Sequence, residues 1–416
     1  MLYERWRQIA HEYRNETALQ IPGRCERWTF SQLAATAESG TVAGPMVFPQ
    51  GDDFILMVLR AWRSGKIVCP LEQDQIPPQL DSLPSGCVHL KTTSATTGAA
   101  RVVAFTKSQL AADADNIIAT MGLRPDWPNL GAISLAHSYG FSNLVLPLLL
   151  HGIPLILAET PLPEMLGQAA SAAEFITLPA VPALWSVWHA AGAIPGNVRL
   201  AISAGAPLPL ALEQAVIATH RLKIHNFYGS TECGGIAYDA SASPRKDAAC
   251  VGAAMKNAKL SVGEDGCLEV RGSAVGETYW PESAPNLANG CFRTSDLTEI
   301  SDGLIYLRGR AGDQMNIAGR KLSPEDIEKA LLAHPQVREC LVFGIPSKDA
   351  ERTDTIVACV AAHVSVTGES LKQFLLEKLP AWQIPREWLF VKSLETNQRG
   401  KLSRADWRRK FMEGGR

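Results

Sequence analysis

The segment Asn226-Phe-Tyr-Gly-Ser-Thr-Glu232 gathers side chains that could handle a nucleotide. An aromatic ring at a strand end, Tyr228, offers a surface for a nucleobase. Gly229 permits a tight turn, Thr231 can bind phosphate, and Glu232 is a hard oxygen ligand suited to Mg2+. A strand-end turn with Tyr228 packed in the core accounts for the same residues without a ligand. A second segment, Thr92-Thr-Ser-Ala-Thr-Thr-Gly98, is a run of hydroxyls and small residues followed by Arg101. Small residues let backbone N–H groups close on phosphate oxygens, hydroxyls add donors, and a cation neutralises charge. A Ser/Thr-rich surface turn has the same composition. Asp296, in Arg293-Thr-Ser-Asp296, and Arg310, after Gly309, each supply a group that can bind ribose hydroxyls. Lys401 lies in the turn Gln398-Arg-Gly-Lys-Leu-Ser-Arg404, where a lone lysine is most often a solvated surface residue.

These residues need a scaffold. From about Ile55 to Ala237, strand-like apolar runs alternate with helical stretches, the pattern of a layered α/β architecture. Val198-Arg-Leu-Ala-Ile-Ser203 reads as a buried strand ending in the turn Ala204-Gly-Ala-Pro207. A helix over Leu208 to His220 and a strand over Leu222 to Tyr228 follow. Ligands in α/β sheets collect where strand C-termini meet loops, so both loops stand where a site belongs. Between Lys259 and Arg308, short runs separated by Gly, Asp and Asn predict a small β subdomain, about 250–308. After Arg308-Gly-Arg-Ala-Gly312, Ser323-Pro324-Glu325-Asp326 reads as a helix start with Ser323 as N-cap. Strand-like runs at 340–343 and 356–360, and a helix carrying Leu371, Phe374, Leu375 and Leu379, complete a unit large enough for its own core. The expected fold is α/β: a large N-terminal domain over 1–309 and a small α+β C-terminal domain over 313–416.

A chain of 416 residues exceeds one ordinary core. Its formal net charge of −2 gives no global reason for nucleic acid or an acidic membrane as a partner. The basic run Arg404, Arg408, Arg409 and Lys410 reads as a solvated helix face. Nine cysteines without a C-x-x-C pair fit free thiols in a reduced, cytoplasmic setting. The charged N-terminus does not read as a signal peptide. The apolar run from Leu144 to Leu157 is broken by Pro147, His151, Gly152 and Pro154, so it reads as core rather than a membrane span.

In order and combination, these motifs resemble the adenylate-forming superfamily of acyl- and aryl-CoA synthetases, peptide-synthetase adenylation domains and luciferases. The family's phosphate loop, T-S-G-[ST]-T-G-x-P-K, is similar to Thr93-Ser-Ala-Thr-Thr-Gly-Ala-Ala-Arg101. Y-G-x-T-E matches Tyr228 to Glu232, and T-G-D resembles Thr294-Ser-Asp296. The hinge-and-loop motif matches Gly309 to Glu328, and G-K-x-x-R matches Gly400 to Arg404. The resemblance implies ATP as substrate, with Tyr228 and Ala204-Gly205-Ala206 on the adenine, and Asp296 and Arg310 on the ribose. Ser94, Thr96, Thr97, Gly98 and Arg101 would surround the phosphates, with Gly229, Ser230 and Thr231 beside them and Mg2+ on Glu232. Lys401 would bridge the carboxylate and the α-phosphate. Asn316 and Gly319 would border the pantetheine path of coenzyme A or of a carrier protein's phosphopantetheine.

The departures have consequences. Ala95, Ala100 and Arg101 stand where the family has Gly, Pro and Lys, and Ser295 replaces the Gly of T-G-D. The segment before the phosphate loop is short, which implies a trimmed first subdomain. Gly312 occupies the hinge position. His137, in Ala136-His-Ser-Tyr-Gly140, lies where the family lines its acyl pocket. It could gate that pocket, assist thiol deprotonation or serve structure alone. No acid follows it through Asn143, which disfavours an α-amino acid and prefers an aryl or acyl acid. A small carboxylic acid and a separate acyl carrier protein are the partners implied. A member of the fold that binds nucleotide without catalysis is the competing reading.

Overall fold

The strand-like runs become the centre of a parallel sheet. Val198–Ser203 lies between Ile176–Ala180 and Ile224–Ser230, parallel to both. Asn129–Gly131, Leu155–Leu157 and Thr17–Ile21 extend this sheet in one direction, also in parallel. These features come from a computed structural model that describes residues 1–72, 75–93, 102–317, 319–347, 354–395 and 402–414. The expected strand at 198–203 is present with those bounds, and the following helix spans Leu210–His220. Pro209 stands at its N-cap, which moves the start two residues beyond the expected one.

Beyond Ile224–Ser230 the sheet turns antiparallel. Gly234–Tyr238 folds straight back on Ile224–Ser230, and Cys250–Ala254, Leu304–Arg310, Cys291–Ser301, Cys267–Arg271 and Lys259–Val262 follow in order. The small β subdomain is thus hydrogen-bonded edge to edge with the main sheet. A second sheet of five strands centres on Cys87–Thr92 and Val102–Thr106, an antiparallel pair whose connection is the phosphate-loop segment. Thr278–Trp280 adds to its edge beside Val102–Thr106, so a distant part of the chain reaches the same place.

Helix Lys107–Met121 starts at a capping box formed by Thr106 and Gln109 and stops at Gly122, whose φ of +68° suits an achiral residue. Trp6, Phe30, Phe105 and Phe141 are fully buried in the core between the sheets and helices. The run Leu144 to Leu157 belongs to that core, with all of Leu144 to Leu150 buried. No described helix is long and apolar enough to cross a membrane. All nine cysteines are free.

The C-terminal part has a core of its own. Val337–Pro346, Asp354–Ala362 and Glu387–Phe390 form a separate sheet, with helices Pro324–Leu332 and Gly368–Leu376 on it. Ile327, Leu331, Val342, Ile356 and Leu371 meet in its centre. Leu379 lies past the helix end yet packs on the same core. Ser323 occupies the N-cap position of Pro324–Leu332, but its side chain does not cap that helix. Its hydroxyl lies 2.9 Å from the Arg308 carbonyl and 2.9 Å from a Glu325 carboxylate oxygen. A hydroxyl drawn to those acceptors is turned away from the first-turn N–H groups.

Candidate active site

The hairpin between Ile224–Ser230 and Gly234–Tyr238 carries the motif read first. Ser230 pairs with Gly234 across it, and Gly229 with Gly235. A Cβ on Gly229 would lie 2.6 Å from the Gly234 carbonyl oxygen, so the close return of the chain requires glycine there. At the hairpin tip, the Glu232 N–H donates to the Ser230 hydroxyl at 3.2 Å, and the Glu232 carbonyl accepts from Gly276 N–H at 2.8 Å. Thr231 and Glu232 are half-buried. The Tyr279 hydroxyl donates to Glu232 Oε1 at 3.0 Å and so orients its carboxylate.

Tyr228 is half-buried, and its hydroxyl donates to Asp296 Oδ2 at 2.5 Å. Burial, reinforced by the Asp296 carboxylate, pushes the phenol well above its ordinary value and keeps it a donor. The other oxygen of Asp296 accepts from Arg310 Nε at 2.9 Å. Asp296 sits in strand Cys291–Ser301 directly opposite Arg310 in strand Leu304–Arg310, which explains how residues 14 apart meet. The Asp296 N–H also donates to Thr294 Oγ1 at 3.0 Å, so the hydroxyl of the Thr-Ser-Asp motif shapes the backbone at the acid. The Arg310 side chain remains 57% exposed, so its guanidinium is accessible to a ligand.

The other expected residues are placed as follows. Ala204 is buried, while Gly205 and Ala206 are exposed just past the end of Val198–Ser203. Strands Val198–Ser203 and Ile224–Ser230 are parallel neighbours, so this loop and the Tyr228 hairpin open at the same sheet edge. His137 is half-buried and stands at the N-cap of the turn Ser138–Gly140, where its Nδ1 accepts from Tyr139 N–H at 3.5 Å. A π-helical turn, Phe141–Val145, follows at once. Asn316, in strand Met315–Ile317, and Gly319, just before its partner strand Arg320–Leu322, are exposed, and Gly319 N–H donates to Asn316 Oδ1 at 2.9 Å. Ser94, Thr96, Thr97, Gly98, Arg101 and Lys401 lie outside the described residues.

Residues 58–281 match the family model described as AMP-binding enzyme, and residues 326–401 match the AMP-binding enzyme C-terminal domain. The chain belongs to the AMP-binding enzyme family. It is an AMP-forming acid–thiol ligase by that membership. A feruloyl-CoA synthase of an Amycolatopsis species is 26% identical over 360 residues, covering 81% of this chain and 72% of that protein. A 2-succinylbenzoate–CoA ligase of Bacillus licheniformis is 30% identical over 224 residues, covering 50% of this chain and 46% of its own. Among solved structures, ATP-bound MatB from Rhodopseudomonas palustris matches with a TM-score of 0.86 at 18% identity, over 100% of both chains. The o-succinylbenzoate CoA synthetase of Bacillus subtilis, holding its acyl-adenylate, matches at 0.82 and 19% identity, over 99% of this chain and 98% of that one. At such identities the likeness is one of fold.

The sequence reading of this AMP-binding enzyme missed Tyr279. It stands 47 residues from Glu232, on a strand whose place beside Val102–Thr106 is a tertiary fact. It also missed Lys91, Asp113 and Ser142, polar residues set within apolar runs and all buried. A charge inside a strand-like or helical apolar stretch was the available signal.

Proposed function

We propose that this chain uses ATP to convert an aryl or acyl carboxylic acid to its acyl-adenylate, then transfers the acyl group to a thiol of coenzyme A or of a carrier-protein phosphopantetheine. The observation that carries this reading is the Asp296 carboxylate held between the Tyr228 hydroxyl and Arg310, with Glu232 on the same hairpin as Tyr228. Asp296 and Arg310 offer an acceptor and a donor to ribose hydroxyls. Tyr228 and the Ala204-Gly205-Ala206 loop flank the adenine position.

Glu232 fits a Mg2+ ion bound mainly through substrate phosphates. Among the described residues no three His, Cys, Asp or Glu side chains gather as a protein-only metal cage. A single oriented carboxylate is what such an ion takes from protein when phosphates and water supply its remaining ligands. The ion would neutralise charge on the phosphates.

A carboxylic acid has an ordinary pKa of about 4, so at neutral pH the substrate is already the nucleophile and needs no general base. Its obstacle is a polyanionic target. Ser94, Thr96, Thr97, Gly98 and Arg101, with Ser230 and Thr231, would supply donors to the phosphates. Lys401 would bridge the attacking carboxylate and the α-phosphate as charge develops there. The acyl carbon must then become accessible to a thiol. A turn of the domain 313–416 about Gly312, away from 1–309, would withdraw Lys401 and bring Asn316 and Gly319 to the thiol path. Gly312 is exposed, and a Cβ there would meet no atom within 4 Å. Relatives are named for feruloyl and 2-succinylbenzoate substrates and others for malonate and long-chain fatty acids, in keeping with an aryl or acyl acid. The segment His137 to Asn143 contains no carboxylate to receive an α-ammonium.

The test is carboxylate-dependent exchange of labelled pyrophosphate into ATP over benzoic, cinnamic, dicarboxylic and medium-chain fatty acids. Thioester formation on coenzyme A and on a carrier protein is then compared. Exchange with one class of acid is the expected result. ATP binding without exchange for any acid would replace this reading by nucleotide binding alone.

A further inference from the structure

We infer that Asp113, midway along helix Lys107–Met121, is a positioning residue that ties the Glu232 hairpin to the His137 segment and to the strand entering the phosphate loop. Asp113 is buried, 2% exposed. Asp113 Oδ1 accepts from Gly235 N–H at 3.3 Å, just past the hairpin tip that carries Glu232. Gly234, at φ +65°, lets the backbone come this close, since a Cβ there would collide with the Asp113 carboxylate. Asp113 Oδ2 accepts from Ser142 Oγ at 2.6 Å, in the π-helical turn that follows His137. Ser142 Oγ in turn accepts from Lys91 Nζ at 3.1 Å, and Lys91 Nζ stands 3.7 Å from Asp113. Lys91 also lies over the Phe105 ring at 4.8 Å from its centroid. It is in strand Cys87–Thr92, which leads directly into the phosphate-loop segment.

One buried carboxylate thus joins three separate parts of the chain that carry proposed site residues. The ammonium beside it supplies charge balance: burial depresses Lys91, and Asp113 opposes that shift. A pair that only filled the core could be exchanged for apolar side chains without consequence for the site. A positioning residue could not, because the Gly235 N–H would lose its acceptor.

This inference rests on Glu232 as the Mg2+-holding carboxylate, and the test separates the two. Two double variants are compared with the natural protein, Lys91→Met with Asp113→Leu and Lys91→Met with Asp113→Asn. Both remove the buried charges, but only asparagine keeps an oxygen for Gly235. The measurements are amide exchange at Gly235 and the MgCl2 concentration for half-maximal ATP binding by calorimetry. The leucine variant is expected to exchange Gly235 faster and to need roughly fivefold more Mg2+, and the asparagine variant to return towards natural values in both. Unchanged Gly235 exchange in the folded leucine variant overturns the inference. Should that variant fail to fold, Lys91→Met with Asp113→Ala also takes the acceptor from Gly235 without adding bulk, and unchanged Gly235 exchange there overturns it equally. ATP binding indifferent to Mg2+ in the natural protein sinks the reading of Glu232, while Gly235 exchange still decides the role of Asp113.

Discussion

Arg310 and Arg404 both stand in motifs legible along the chain, and both face carboxylates, yet the structure uses them differently. Arg310 meets one acid, Asp296, and keeps 57% of its side chain exposed. Arg404 is 19% exposed and meets Asp313 at 2.9 Å, Glu325 at 2.9 Å and Glu328 at 2.8 Å. Its Nε also donates to the Val342 carbonyl at 3.1 Å. An arginine has five donors. Arg310 leaves most of its fork exposed, whereas Arg404 spends its fork on three elements around it. The first arrangement suits recognition. The second pins helix Arg404–Gly414 to helix Pro324–Leu332 and to the short turn Ala311–Asp313 at the proposed hinge.

The largest effect should come from the saturated arginine. Arg404→Ala leaves three acids facing one another, and after allowance for their partial exposure it should cost about 2–3 kcal/mol in the C-terminal domain. Calorimetric unfolding would reveal it, and both half-reactions should fall together. A melting profile like the natural one would erase the contrast between the two arginines. Arg310→Gln should behave in the opposite way, with stability changed by less than about 1 kcal/mol, because Arg310 is largely exposed and the more buried Asp296 keeps its Tyr228 partner. Its ATP affinity should fall by roughly tenfold, the loss of a charge-assisted contact. Isothermal titration with ATP checks this, and unaltered affinity would remove Arg310 from the nucleotide site.

Tyr228→Phe should give a smaller change of the same kind, roughly three- to tenfold in ATP affinity, since Asp296 keeps Arg310 but loses one donor. Pyrophosphate-exchange kinetics at varied ATP would detect it as a higher KM. A drop in stability without any change in KM would instead make the Tyr228–Asp296 bond structural. Gly312→Ala should have the mildest effect, within about 1 kcal/mol of stability, because the position is open and not left-handed. If rotation occurs there, acyl transfer from supplied acyl-adenylate should slow while adenylation changes little. Equal rates for both half-reactions would place the rotation elsewhere.

Much of the scaffold was legible because local pattern and final environment agree. Val198 to Ser203 reads as a buried strand in sequence, with Arg199 its one charge, and is a central parallel strand in the fold. The C-terminal strands and helices announced a separate core, which Ile327, Leu331, Val342 and Leu371 form. Where local pattern and environment diverge, the reading fell short. Ser323 has the residue type of an N-cap, but the Arg308 carbonyl, which no local rule brings near, claims its hydroxyl. The β subdomain was visible as a change of character, but not its continuity with the main sheet, since strand order is a non-local property.

The order of the motifs along the chain determined the family, and with it the two-domain α/β architecture, because residue types suited to phosphate, ribose and metal recur at fixed places around one scaffold. Only the tertiary structure decided which groups hold those residues. Tyr279 reaches Glu232 across 47 residues and Asp113 reaches Gly235 across 122. The geometry of a hydrogen bond depends on where two backbones come to rest, and for residues so far apart that is settled by the packing of sheets rather than by any neighbour in the chain.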